Sequence, residues 1–140
     1  MRVVFYSSDS GETRDRLLRL LEDAAAPIRL DKFDGLGLLA RFLGRLDIGQ
    51  AVAVVVASDS KELSELISMR DWFSQLRLVL LVPDRTNETV SKGHLMRPRF
   101  LSYYDGDFSD VAAVLGKMIA NSEDWNDSPA KSKARVQDGR

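Results

Sequence analysis

Short apolar runs alternate along most of the chain with stretches whose apolar residues recur at helical spacing. Residues 3–6, Val-Val-Phe-Tyr, predict a buried strand. After them Leu17, Leu18, Leu21, Ala24 and Ala25 mark one face of a helix. Asp9 or Ser10 is expected to cap that helix, and Pro27 to stop it. Residues 28–33 predict a weaker strand. Asp34 and Gly35 then open a second helix carrying Leu38, Leu39, Phe42, Leu43 and Leu46, with Gly35, Gly37 and Gly44 weakening its end turns. Residues 51–57, all Ala and Val, form the strongest strand. Ser58, Asp59 and Ser60 supply a cap for a third helix with Leu63, Leu66, Ile67, Phe73 and Leu76 as its apolar positions. Residues 78–82 give a fourth strand, ended by Pro83 and Asp84, and residues 86–96 a polar helix. Residues 100–104 predict a fifth strand. Val111, Val114, Leu115, Met118 and Ile119 mark a final helix.

Strands alternating with helices imply a parallel sheet covered on both faces. The first, third and fourth strands are nearly continuous apolar runs, as central strands must be. The second carries Arg29, Asp31 and Lys32, and the fifth carries Ser102, Tyr103 and Tyr104, so both belong at edges. The expected fold is therefore α/β, a five-stranded parallel sheet in the order 2-1-3-4-5 inside a three-layer sandwich. Ligands of such folds sit at the carboxyl ends of the strands, near the first and third. This directs attention to residues 7–13 and 58–60.

Composition narrows the chemistry. The chain has 140 residues, 20 Lys+Arg against 21 Asp+Glu, no cysteine and one histidine, His94. That supports one core, over residues 1–120, and excludes thiolate metal sites, cysteine nucleophiles and multi-histidine centres. Near-zero net charge argues against nucleic acid or an anionic membrane as the partner. Residues 121–140 turn to Ser, Asp, Lys and Pro and predict a polar, flexible tail, with Trp125 its one large apolar residue. No apolar run reaches the roughly 20 residues of a membrane span, and no targeting segment precedes the first strand, so a cytoplasmic protein is expected.

Over residues 1–120 the spacing of elements resembles that of the receiver domains of two-component response regulators. Residues 34–39, Asp-Gly-Leu-Gly-Leu-Leu, resemble the start of that family's second helix, and residues 100–104, Phe-Leu-Ser-Tyr-Tyr, its fifth strand. The resemblance implies an acidic pair after the first strand, where this chain has Ser7 and Ser8. It implies a phosphoacceptor aspartate closing the third strand, where Val56, Ala57 and Ser58 stand. The Thr/Ser after the fourth strand corresponds to Val82 or Pro83, and the fifth-strand Lys to Tyr103. Phosphoryl transfer to a carboxylate needs a divalent cation to neutralise developing charge, so loss of the acidic pair alone disables it. Asp59 and Asp9 are the only shifted substitutes nearby, and Asp59 serves equally well as a helix cap.

The first loop also resembles the flavodoxin phosphate loop through Ser8, Ser10, Gly11 and Thr13, which would bind flavin mononucleotide (FMN) or another phosphate ligand at a helix N-terminus. Asp9 and Glu12 lie inside that loop. A carboxylate about 5 Å from a phosphate costs roughly 3 kcal/mol at an effective dielectric near 20, against about 0.3–1 kcal/mol returned by the helix end. No aromatic follows the third or fourth strand to flank a flavin ring. A third possibility gathers Asp9, Asp59, Asp84, Asp105 and Asp107, all following strand ends, around a hard cation such as Mg²⁺; helix capping explains the same acids without a metal.

In receivers the fourth helix, fifth strand and fifth helix form the usual partner surface. The resemblance thus nominates Arg97, Arg99, Tyr103 and Tyr104 as contacts, with one tyrosine expected in the core and the other exposed. The expectation is a degenerate, non-catalytic receiver-like module without cofactor, acting through a protein partner or as a homodimer.

Overall fold

The computed structural model describes residues 2–45 and 51–121; Leu46, Trp125 and the rest of the expected tail lie outside them. Eleven elements follow in chain order, ten of them regular strands or α-helices. They are β1 (Arg2–Tyr6), α1 (Glu12–Ala25), β2 (Leu30–Phe33), α2 (Leu36–Arg45), β3 (Ala51–Val56), α3 (Ser60–Ser68), a 3₁₀ turn (Arg70–Phe73), β4 (Arg77–Val82), α4 (Asn87–His94), β5 (Phe100–Tyr103) and α5 (Ser109–Ala120). The strands form one sheet in the order β2-β1-β3-β4-β5, every pair parallel. Topology and edge assignments follow the reading of the apolar runs.

The side-chain period of two sorts each central strand between two cores. Val3, Phe5, Val52, Val54, Val79 and Leu81 face α1 and α5. Val4, Tyr6, Ala53, Val55, Leu78 and Leu80 face α2, α3 and α4. Both faces of β3 are therefore dry, and all six of its residues are buried. Burial of each of its four valines contributes about 1.5–3 kcal/mol relative to exposure. Gly93 explains how the polar α4 packs at all: a Cβ there would lie 2.7 Å from Leu101 Cδ1 and 3.2 Å from Val82 Cγ1. The missing side chain lets the helix backbone rest on β4 and β5.

Several expectations need correction. Helix α1 is capped by neither Asp9 nor Ser10; Gly11 holds the N-cap position and no side chain closes the first turn. The third helix does not run through to Leu76. It ends at Ser68, and Met69 (φ −112°, ψ 24°) leads into the 3₁₀ turn. Continued helical phase after Leu66 and Ile67 would have turned Arg70 and Asp71 inward, whereas the break buries Phe73 and leaves both charges outside. Strand β2 begins at Leu30 rather than at residue 28, and β5 ends at Tyr103. Tyr103 and Tyr104 do face opposite cores, yet both are half-buried, so neither is the exposed partner expected of the pair.

Candidate functional site

At the carboxyl edge of the sheet the sequence placed its candidate chemistry, and the structure engages much of that edge in internal hydrogen bonds, the buried Ser58 hydroxyl being without a partner. Ser7 is wholly buried; its N–H donates to the Phe33 carbonyl (3.1 Å), prolonging the β1–β2 ladder. Its hydroxyl oxygen accepts from the Asp9 N–H at 3.3 Å. Ala57 likewise continues β3, donating to the Leu81 carbonyl at 2.9 Å. A buried alanine with its backbone in the ladder thus occupies the end of β3.

The residue that dominates the crevice between β1 and β3 is Glu62, which the sequence reading passed over. Asp59 caps α3, its Oδ1 accepting the Glu62 N–H at 2.8 Å. Glu62 reaches back, Oε1 accepting the Ser58 N–H at 2.8 Å. Its Oε2 accepts from the Tyr6 hydroxyl at 2.6 Å. The first bond is the Asp59 cap; the second resembles the return bond of a capping box but takes the amide of Ser58, one residue before the cap; the third stitches the start of α3 to the end of β1. Glu62 is only 8% exposed. Burial, with the Glu62 carboxylate beside it, pushes the Tyr6 phenol well above its usual range. The signal was available in the three-residue spacing from Asp59 to Glu62. What it did not convey is that Tyr6, on another strand, would complete the carboxylate's partners.

Asp9 is held in a second knot. Its Oδ2 accepts from the Tyr104 hydroxyl at 2.7 Å and its Oδ1 from the Ser10 N–H at 3.0 Å. Both oxygens lie about 4 Å from where a Gly11 Cβ would stand. A carboxylate therefore overlies the loop of Ser8, Ser10, Gly11 and Thr13, and takes one of the amides a phosphate would need. Glu12 and Asp15 add two more acids to the first turn of α1. These residues do not fit an anionic phosphate ligand. Burial, with Asp9 next, pushes the Tyr104 phenol well above its usual range.

The remaining acids of the rim each face a local partner. Asp84 Oδ1 accepts from the Thr86 N–H (3.0 Å) and hydroxyl (2.7 Å), which holds its carboxyl below the usual range. Asp107 does the same with Ser109, at 3.1 and 2.9 Å, with the same downward direction. Asp105 receives Arg85 Nη2 at 3.0 Å and Nε at 3.4 Å, and that guanidinium lies 4.0 Å from the Tyr103 ring centroid. Asp9, Asp59 and Asp84 thus each have hydrogen-bond partners of their own. Among the described residues no group of three or more His, Asp or Glu side chains is placed to hold a metal ion.

The nominated contact residues are also divided. Arg97 and Arg99 are exposed at the amino end of β5, where the Arg99 N–H donates to the Leu78 carbonyl at 2.7 Å. Tyr103 and Tyr104 lie four or five residues on, roughly 13–16 Å along an extended strand. One sits under Arg85 and the other is tied to Asp9. His94 is exposed at the end of α4.

No protein-family model matches the chain, and no curated protein matches it. Among solved structures it is similar to a provisionally named pilus assembly-related protein of Burkholderia pseudomallei K96243, with a TM-score of 0.64 and 18% identity over 86% of this chain and 90% of that one. It is also similar to a provisionally named pilus assembly protein, CpaE, of Burkholderia thailandensis E264. There the TM-score is 0.59 and the identity 19%, over 86% of this chain and 98% of that one. At such identities the likeness is one of fold: a five-stranded, receiver-like and flavodoxin-like α/β sandwich.

Proposed function

We propose that the chain is a non-catalytic, receiver-like regulatory module that works in the cytoplasm by protein–protein contact, in the assembly of a surface apparatus of the pilus type. One observation carries the non-catalytic part. Glu62 bonds Tyr6 at the end of β1 and Ser58 just after β3, so its carboxylate is engaged beside the strand end where a receiver would keep its acceptor and cation. A carboxylate with that many donors already satisfied is a structural anchor, and Asp59 beside it is spent on the α3 N-terminus. The fold-level likeness to two pilus-assembly proteins supports the setting. No described helix is long and apolar enough to cross a membrane. The alternative, FMN held by Ser8, Ser10, Gly11 and Thr13, is supported by the order of those residues and opposed by the Asp9 carboxylate above them.

The test is incubation with a small phosphodonor and Mg²⁺, read by intact mass. The chain is expected to stay unmodified; a phosphoryl adduct that disappears in Asp59→Ala would overturn the reading. In parallel, added FMN is expected to keep its full fluorescence, and saturable quenching lost in Ser10→Ala would establish the alternative.

A further inference from the structure

The two edges of the sheet differ in charge. Asp9, Asp34, Asp59, Asp84, Asp105 and Asp107 follow strand ends at the carboxyl edge, whereas Arg70, Arg77, Arg97 and Arg99 gather where β4 and β5 begin. Acids at helix starts and bases at helix ends complement the helix dipoles and need no ligand. The amino edge, however, also carries an open groove of about 310 Å³ between the 3₁₀ turn and the α4–β5 connection. Phe73, Leu76, Leu95 and Met96 supply its apolar lining, Arg70 and Arg97 its cations, and Asp71 its one carboxylate. Leu95 is 56% exposed there. Arg97 adopts a left-handed backbone conformation, φ 53°, which a non-glycine residue rarely accepts and which costs about 1–2 kcal/mol.

The carboxyl edge offers a matching projection. Leu38, in the first turn of α2, is 55% exposed. Gly35 and Gly37 stand close to it in sequence, with nothing within 4 Å of where their Cβ atoms would be. Side chains on a helix lean toward its N-terminus, which here is the carboxyl edge, and the exposed Asp34 stands one turn before it.

We propose that copies of this chain associate head to tail, Leu38 and Asp34 at the carboxyl edge of one copy docking into the arginine-rimmed groove at the amino edge of the next. Apolar projection meets apolar groove, and acid meets arginine. The formal net charge of −1 leaves no long-range repulsion between copies to oppose the approach. Because the two surfaces differ, the contact is heterologous and continues past a dimer unless rotation closes a ring. This inference rests on the contact reading above and names a second copy of the chain as the partner.

Sedimentation of the full chain over a range of concentrations tests it. Association is expected to extend beyond dimer and to weaken as salt rises from about 0.05 to 0.5 M, because exposed charge pairs are screened. Leu38→Glu and Leu95→Glu should each weaken it roughly ten- to a hundredfold, the loss of one buried leucine. Mixed together, these two variants should pair and stop at dimer, since one keeps the groove and the other the projection. Arg97→Gly should weaken association severalfold without lowering the melting temperature, because glycine accepts that backbone. A monomer at every concentration, a wild type that stops at a symmetric dimer, or association indifferent to both leucine substitutions would overturn the pairing. A monomer that still takes no phosphoryl group would leave the non-catalytic reading intact; an adduct would overturn that reading whatever the oligomeric state.

Discussion

The two edges of one sheet differ in how far their side chains are engaged with one another. At the carboxyl edge, polar side chains point at one another: Tyr6 to Glu62 at 2.6 Å, Tyr104 to Asp9 at 2.7 Å, Asp59 to the start of α3. At the amino edge, arginines and leucines border a groove and leave its apolar lining open. A polar group bound to its neighbours contributes stability and has little capacity left for a ligand, whereas an exposed leucine contributes little stability and is available to a partner. Substitutions at the first edge should therefore register in folding, and those at the second in association.

The largest effect is expected from Tyr6→Ala. It removes a ring that is 1% exposed and leaves the buried Glu62 carboxylate short of a donor. A loss of about 3–5 kcal/mol should appear in urea unfolding. Tyr6→Phe isolates the polar part, since only the hydroxyl goes; about 1–3 kcal/mol is expected, the cost of an unsatisfied buried acceptor. Asp9→Asn should cost less, about 0.5–1.5 kcal/mol, because the amide can still accept from Tyr104. Leu95→Ser, at the opposite edge, should stay within about 0.5 kcal/mol of the wild type in the same assay. A reversal of that ranking would break the contrast between the edges.

The pH dependence sharpens it further. Both edge tyrosines have phenols raised above the ordinary value of 10.0 by burial and then by a bonded carboxylate. A raised folded-state pKa means the unfolded chain releases these protons first. The associated stability is thus fully present below pH 10 and is lost as pH climbs beyond it. Unfolding free energy should fall on the alkaline side of about pH 10, and Tyr6→Phe should flatten part of that slope. Absorbance titration of the folded protein should show Tyr6 and Tyr104 ionising later than free tyrosine.

Much of the fold was legible because it depends on local pattern. The unbroken apolar runs of β1, β3 and β4 placed them at the centre, and Arg29, Asp31 and Lys32 placed β2 at an edge. The break after Ser68 was legible in principle, since Arg70 and Asp71 fall where a continued helix would face inward. The site was less legible because its bonds join residues distant in sequence. Nothing near Tyr6 announces Glu62, fifty-six positions away, nor does anything near Asp9 announce Tyr104. Helix α1 lacks the expected Asp9 cap for a related reason: the Asp9 side chain bonds Tyr104 across the sheet rather than its own helix. Trp72 lies over Gly44, its ring 3.1 Å from where a Cβ at that position would stand, while remaining 49% exposed.

The central claim, that the carboxyl edge is structural and the chain acts by contact, is tested most directly by amide NMR. The spectrum would be recorded with Mg²⁺ and with beryllofluoride, a mimic of a carboxylate-bound phosphoryl group. The amides of Ser7, Ser58, Asp59 and Asp84 are expected to keep their positions at saturating reagent. Saturable shifts centred on Ser58 and Asp59, abolished by Asp59→Ala, would contradict it.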